Sequence, residues 1–411
     1  MEWTQLLNCA RLGRGGSAPG SDPRTAFQRD FDRIVFSSAF RRLQDKTQVF
    51  PLAQSDHVRT RLTHSIESAC VGRSLGTRAG MALLDRNREL QALHKRDRFH
   101  PSDLGAIAAA ACLAHDIGNP PFGHAGESAI GQWFRDSEYG RRVIETLGGE
   151  DTPEARDLLA FEGNAQGFRV LTRLQHPENR GGMQLTFATL AAFMKYPRGT
   201  RADGTTAHRY RKHGFFQDDA PTFADVAEAT GLPTLAAGAQ ACARHPLSCL
   251  VEAADDICYH ILDIEDGFRK RLIDYADARD LFLGVITDAA VPGPPEPVRD
   301  DDARKARIEY LRAKAIGSVI EQTVQIFVEE EEALLAGTFR KGLTDRIERA
   351  EAFRALLDVA RETIYPQREV VLVEAAGFNV LGELIERFLY ALNDIAEGHA
   401  SPRSKTFWKL F

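Results

Sequence analysis

The chain has 411 residues, of which 43% are hydrophobic and 27% charged, and its formal net charge is -6. This is an ordinary globular balance, long enough for two or three lobes, and it lacks the basic surplus of a protein built to bind duplex nucleic acid. Cys9, Cys70, Cys112, Cys242, Cys249 and Cys258 form no CxxC pair and read as reduced thiols. With no charged head and apolar run at the N-terminus, and no long uncharged apolar stretch, we expect a cytoplasmic protein without membrane contact.

Helical periodicity dominates and strand-like alternation is scarce, so the expected fold is all-α. Residues 1–24 read as a flexible lead-in. Their GRGGSA run loosely matches a glycine-rich nucleotide fingerprint, but no strand precedes it, which makes it a loop. No GxxxxGK[ST] occurs, and this excludes a P-loop NTPase. A helical pattern covers about Thr25 to Leu43. A second covers about Thr60 to Gly80, with Leu62, Ile66, Ala69 and Cys70 on one face. A third begins at Pro101, with Ser102 as its candidate cap, and carries Leu104, Ile107, Ala111 and Leu113. It reaches His115-Asp116 and stops at Gly118-Asn119-Pro120-Pro121, because proline cannot continue a helix. Further helices are expected over 125–197, near Phe223 and over Pro246–Lys270, with a polar, basic loop at 198–220 between them. The Pro-rich, acidic stretch 287–304 reads as a linker between a core of 25–286 and a helical C-terminal region of 305–411, three or four amphipathic helices long.

The strongest chemical signal is Ala114-His115-Asp116-Ile117-Gly118. Adjacent imidazole and carboxylate at a helix end can both reach one divalent cation. Two ligands do not make a site, and His64 and the acidic helix from Glu252 to Asp263 are the candidates for the rest. Asp255, Tyr259 and Asp263 fall at i, i+4 and i+8 and share a face, while Leu250, Ala253, Ala254, Ile257, Ile261 and Ile264 pack. A carboxylate on such a helix is costly to bury unless paired or metal-bound. The plain alternatives are a structural His64 and a solvated acidic stripe.

Beyond the dipeptide, the sequence holds Arg33 to Leu52 (RIVFSSAFRRLQDKTQVFPL), Arg61-Leu-Thr-His64-Ser, and His115-Asp-Ile-Gly-Asn-Pro-Pro-Phe-Gly-His124-Ala-Gly-Glu127. Then come Phe161-Glu-Gly-Asn164-Ala-Gln166, Leu185-Thr186, Lys195-Tyr196-Pro197, Lys212-His-Gly-Phe-Phe216 and Ala254-Asp-Asp-Ile-Cys-Tyr259. In this order, over about residues 25–270, they resemble the deoxyguanosine triphosphate triphosphohydrolase-like branch of the HD superfamily. The resemblance implies an HD-type helical core and hydrolysis of deoxynucleoside triphosphates, dGTP or a broader set, to deoxynucleoside and inorganic triphosphate.

Residue by residue, it implies that His64, His115, Asp116 and Asp255 hold one divalent metal per subunit, with Mn, Mg, Ni, Fe or Zn all compatible. Asp255 is preferred to Asp256 because only Asp255 keeps the spacing to Tyr259 and Asp263. His124 and Glu127 match the catalytic pair. A histidine beside the scissile bond can donate or relay a proton to the sugar 5′-oxygen, and a carboxylate one turn away can orient it. Gln48 and Asp263 match contacts to the sugar 3′-hydroxyl, and Tyr259 packs against the deoxyribose. Arg61, Lys195 and Tyr196 match positions near the triphosphate, with Asn164 in reach. Asn119, where many relatives have histidine, receives no catalytic role.

Base preference stays open, because the 198–220 loop and the C-terminal third do not match. His208, His213, His245 and His260 stay unassigned; His213 is expected at the surface, with a phosphate contact as its sharper alternative. The cluster Arg201, His208, Arg209, Arg211 and Lys212 reads as a solvated loop, with an allosteric dNTP or single-stranded nucleic acid as its candidate ligands. A homo-oligomer is expected, and a hexamer is compatible with the resemblance. Two alternatives remain: an HD phosphodiesterase for cyclic or signalling nucleotides, disfavoured because HDIGK and a GYP element are missing, and a non-catalytic nucleotide or nucleic-acid sensor.

Overall fold

Helix starts follow local capping chemistry. In the computed structural model, which describes residues 1–14, 22–50, 59–96, 98–200, 212–235, 240–288 and 300–410, the Thr25 hydroxyl accepts from the Gln28 amide to open α1 (Ala26–Val35). Thr60 accepts in the same way from Thr63 to open α2 (Arg61–Arg86). After α3 (Arg88–Lys95), Pro101 takes the first position of α4 (Pro101–Ala114). The cap there is not Ser102. His100 precedes the helix and its amide donates to Asp103 Oδ2 at 2.8 Å, because a proline settled at the first turn leaves Ser102 already inside it. The long pattern expected over 25–43 also breaks. Ser37 accepts from the Phe40 amide at 3.1 Å and starts a separate turn at Ser38.

The chain continues through α5 (Gly123–Asp136), α6 (Glu138–Thr146), α7 (Pro153–Leu159), α8 (Gly163–Arg169) and α9 (Phe187–Phe193). Next come α10 (Ala220–Thr230), α11 (Pro246–Arg269), α12 (Tyr275–Val285) and α13 (Asp301–Glu329). The last are α14 (Ala350–Thr363), α15 (Arg368–Ala396) and α16 (Pro402–Trp408). Extended pairing among the described residues is limited to isolated bridges, so the fold is all-α. No described helix is long and apolar enough to cross a membrane.

α4 is apolar all round and buried from Asp103 to Ala114 except at Ala106, which makes it the central helix. α1, α2, α9 and α11 pack around it. α2 crosses it at close range, since a Cβ on Gly76 would stand 2.5 Å from the Leu104 carbonyl oxygen. The buried face of α2 is therefore built from small residues, among them Ser68, Ala69, Gly72 and Gly76. Of the face expected from apolar spacing, Ala69 is buried and Leu62 packs on the core, while Ile66, 46% exposed, and Cys70 point to solvent, because bulk would prevent this crossing. The crossing brings His64, in the first turn of α2, to the C-terminal end of α4.

α11 lies against both α2 and α4, and α13 and α14 pack on α11 in turn. One hydrophobic cluster runs from Trp3 to Val370 and joins α4 side chains to Ile308, Leu311, Phe353 and Leu356. Helices on both sides of the expected 287–304 linker thus share a core; residues 289–299 of that stretch lie outside the described residues, as do 15–18 of the GRGGSA run and the 201–211 portion of the basic loop. A second cluster, Trp133, Phe134, Ile144 and Ala155, seats α15 on α5 through Ile385 and Leu389.

Candidate active site

α2, the end of α4 and α11 converge on three donors. His64 Nε2 lies 3.0 Å and His115 Nε2 3.4 Å from Asp255 Oδ1. The imidazole rings stand 5.2 Å apart, edge to face. One ligand atom from each of His64, His115 and Asp255 lies within 4.8 Å of the others, a spacing that fits one cation. His115 Nδ1–H donates to the Cys112 carbonyl at 2.6 Å, which leaves its Nε2 lone pair turned to the centre. Asp116 stands at the edge of this group. Its Oδ1 is 3.5 Å from His115 Nε2 and accepts from Asn119 Nδ2, while Oδ2 accepts from Arg61 at 2.7 Å. Asp256, the rejected neighbour, accepts from Thr344 instead, so α11 turns it away from the two histidines.

Charge balances locally. Burial disfavours the charged form of His115, but Asp116 and Asp255 outweigh it and hold the imidazole up at about 9. Burial would raise Asp116, yet Arg61, His115 and His64 bring it down to about 2. Asp255 is held well below the usual carboxylate range against its burial, by both histidines. Two imidazoles and two ionised carboxylates around one point form a donor set that suits a borderline divalent ion better than a proton.

A cavity of about 400 Å³ opens beside this centre. His124 reaches it with 79% of its side chain exposed, and its Nδ1 lies 2.7 Å from Glu127 Oε2. Glu127 is set behind it and accepts the Gly163 amide at 2.8 Å on its other oxygen. Burial pushes the Glu127 carboxyl up, but the hydrogen bond and charge of His124, the Gly163 amide and Lys212 together outweigh it and lower it. Gly163 is required here, since a Cβ would stand 2.2 Å from Asn119 Oδ1 and 2.8 Å from Glu127 Oε1. His124 itself follows a tight turn in which Phe122 adopts a left-handed backbone, φ 68°.

Arg61, Lys195 and Lys212 bring positive charge to the same wall, with the Lys195 and Lys212 ammonium groups 5.8 and 5.9 Å from the Tyr196 ring centroid. Lys195 is anchored by Glu252 at 3.4 Å, and Asn164 turns its amide to Glu162. Gln48 and Tyr259 line the other end. The Gln48 side-chain oxygen is buried without a partner among the described residues. Asp263 sits just behind, in a narrow recess shared with Gln48, His64 and Tyr259, and burial raises its carboxyl to about 7. Gln48, Arg61, His115, Asp116, His124, Asn164, Lys195, Tyr196, Asp255 and Tyr259 thus line this cavity, with His64, Glu127 and Asp263 beside it.

The structure adds residues the sequence reading missed. α14 contributes Leu357 and Arg361 to the cavity, and the turn after it contributes Tyr365. The Tyr365 hydroxyl donates to Asp263 Oδ2 at 2.7 Å, and its ring lies 5.8 Å from that of Tyr259. Arg361 sits near the end of an amphipathic helix and Tyr365 just past it, but nothing in the sequence connects them to residues a hundred positions earlier. Asn119 also lines the cavity and steadies Asp116. His213 departs from expectation: it is 1% exposed, stands off the cavity 5.8 Å from the Phe216 ring, and burial lowers its imidazole to about 4. The fold of Lys212-His-Gly-Phe-Phe216 turns Lys212 outward, and so turns His213 in.

Comparison with known proteins fits this geometry. The HD domain family matches residues 61–161, the segment from Arg61 through His115, His124 and Glu127 to Phe161. A deoxyguanosinetriphosphate triphosphohydrolase-like protein of Synechocystis is 42% identical over 98% of this chain and 89% of its own length. A protein of the same description from Pseudomonas aeruginosa is 40% identical over 97% of this chain and 87% of its own. A deoxyguanosinetriphosphate triphosphohydrolase of Salmonella paratyphi A is 32% identical, covering 93% and 80%.

Proposed function

The chain belongs to the deoxyguanosinetriphosphate triphosphohydrolase-like family of HD-domain proteins, and from that premise we propose that it hydrolyses deoxynucleoside triphosphates to deoxynucleoside and inorganic triphosphate, using one divalent metal ion per subunit. His64, His115 and Asp255 would hold the ion, with Asp116 completing the set from the edge. When bound, it supplies Lewis-acid polarisation at the α-phosphate.

One observation carries the reading. His124 is exposed to the cavity, its Nδ1 is held by half-buried Glu127 at 2.7 Å, and no described residue bonds its Nε2. An imidazole in that position protonates the departing sugar 5′-oxygen, and the carboxylate fixes its orientation. Arg61, Lys195 and Lys212, with Tyr196, bind the triphosphate through charge-assisted contacts. A sugar hydroxyl satisfies the unmatched Gln48 oxygen, since an orphaned buried acceptor is costly. Asp263 receives the same hydroxyl, while Tyr259 and Tyr365 flank the ring of the sugar. Arg361 stands on the side where the base projects.

The test is a panel of all four dNTPs, singly and in pairs, with Mg and with Mn, reading deoxynucleoside and tripolyphosphate. Release of tripolyphosphate from at least one nucleotide, abolished by a chelator, is expected. No release from any nucleotide or pair, with either metal, removes the proposal. The pairs also report whether one dNTP activates hydrolysis of another.

A further inference from the structure

The stretch of α15 from Val370 to Leu381 reads VVLVEAAGFNVL, with Glu374 as its one charge. It is apolar on every side, and a helix apolar all round is a buried helix. Among the described residues, one stripe of it is covered. Val370, Gly377 and Leu381 are buried, with Gly377 against the Phe122 ring. Leu372 and Val380 are 56% and 47% exposed, and Leu384 one turn on is 43% exposed. Val371 and Phe378 are exposed as well. So much uncovered apolar surface on one helix marks a contact.

Leu372, Ala376, Val380 and Leu384 recur every fourth residue and form one ridge of the helix, with exposed Glu369 before it and exposed Arg387 after it. The order is self-complementary. In two antiparallel copies related by a two-fold axis level with Phe378, Leu372 of one meets Leu384 of the other, Ala376 meets Val380, and Glu369 meets Arg387. A small residue faces a larger one near the centre, and opposite charges close both ends, each contact occurring twice. We propose that this ridge of α15 is a two-fold contact between two copies of this chain. A lipid surface is the poorer occupant. Between Arg368 and Arg387, Glu369, Glu374, Glu383 and Glu386 outnumber the two arginines, the reverse of the basic face that interfacial helices carry. The buried stripe of the same helix leans on Phe122, two residues before His124, so the contact would back the catalytic turn.

The full chain with its metal is examined by sedimentation velocity at about 10 μM, a concentration that populates a contact of micromolar or tighter affinity. The unmodified protein is expected as a dimer or a multiple of one, and Leu372→Glu with Leu384→Glu is expected to halve the number of chains. These side chains are exposed, so far-UV circular dichroism and the melting curve should stay as they were. Glu369→Arg alone and Arg387→Glu alone should each weaken self-association roughly tenfold, and the two together should restore it. This exchange decides the matter even if the apolar variant fails to fold. A monomeric unmodified protein, an unchanged mass after Leu372→Glu with Leu384→Glu, or a double reversal no stronger than the singles overturns the proposal.

Discussion

Two kinds of residue separate cleanly at the site, those that would hold the ion and those that would move the proton. His124 contacts no member of the His64, His115 and Asp255 group, and its anchor is Glu127. His124→Ala should therefore lower kcat by roughly 100-fold or more, the scale of general acid catalysis, while the protein keeps its metal. Asp255→Ala should lose both, because it removes the oxygen that both histidines face. Steady-state kinetics beside metal content by mass spectrometry distinguishes the two, and a metal-free His124→Ala protein would contradict the division. Gly163 adds a sharper case. Gly163→Ala would drive a Cβ into Asn119 and Glu127 at once, so turnover should fall with little change in folding, read as kcat against melting temperature.

At this scale the sequence was legible where the fold repeats a local period. Helical spacing puts Asp255 with Tyr259 and Asp263, and the structure turns the same face to the histidines while Asp256 goes to Thr344. It was illegible where the contact is distant in sequence. Tyr365 stands on Asp263, 102 positions away, and no period or spacing reports that.

At the scale of elements, the pairing of α2 with α4 fixes where His64 meets His115, and the pairing of α15 with α5 fixes the turn that carries His124. The first pairing was half legible. The apolar run of α4 was plain, but the matching face of α2 is written in Ser, Ala and Gly, and the expected stripe faces inward at Leu62 and Ala69 but not at Ile66 and Cys70. The second pairing rests on Gly377. A Cβ there would stand 2.7 Å from Phe122 Cγ and 3.0 Å from its Cβ, too close for a ring swing alone to relieve. Gly377→Ala should therefore displace the Phe122–His124 turn and lower kcat about 10- to 100-fold, as small misplacements of a catalytic group do, although alanine favours the helix itself. Metal content should stay at the unmodified level. Turnover equal to that of the unmodified protein would mean that α15 does not brace the turn.

For the whole molecule, the question is what ties the C-terminal helices to the core. The Pro-rich 287–304 stretch suggested a division, whereas Phe353 and Leu356 of α14 pack in the same cluster as α4. Composition reports a polar connection but not which surfaces meet after it. One polar tie in this joint is titratable. Burial raises the Asp263 carboxyl to about 7, even with the Tyr365 hydroxyl donating to it and Arg59 near, and Asp266 and Asp255 add like charge. In the unfolded chain the same group titrates near the ordinary value of 3.8. The folded state thus binds this proton more tightly. Its contribution to stability is complete below about pH 4 and is lost as pH rises through about 7. Asp263→Asn keeps an acceptor for Tyr365 and cannot ionise. With metal removed from both proteins by chelation, the unmodified chain should lose stability relative to Asp263→Asn between pH 5 and pH 8, by an amount on the order of a few kcal/mol. Urea unfolding across that range measures it. Parallel pH profiles for the two proteins would mean that Asp263 is ionised throughout, and that the joint between α11 and α14 is held by packing alone.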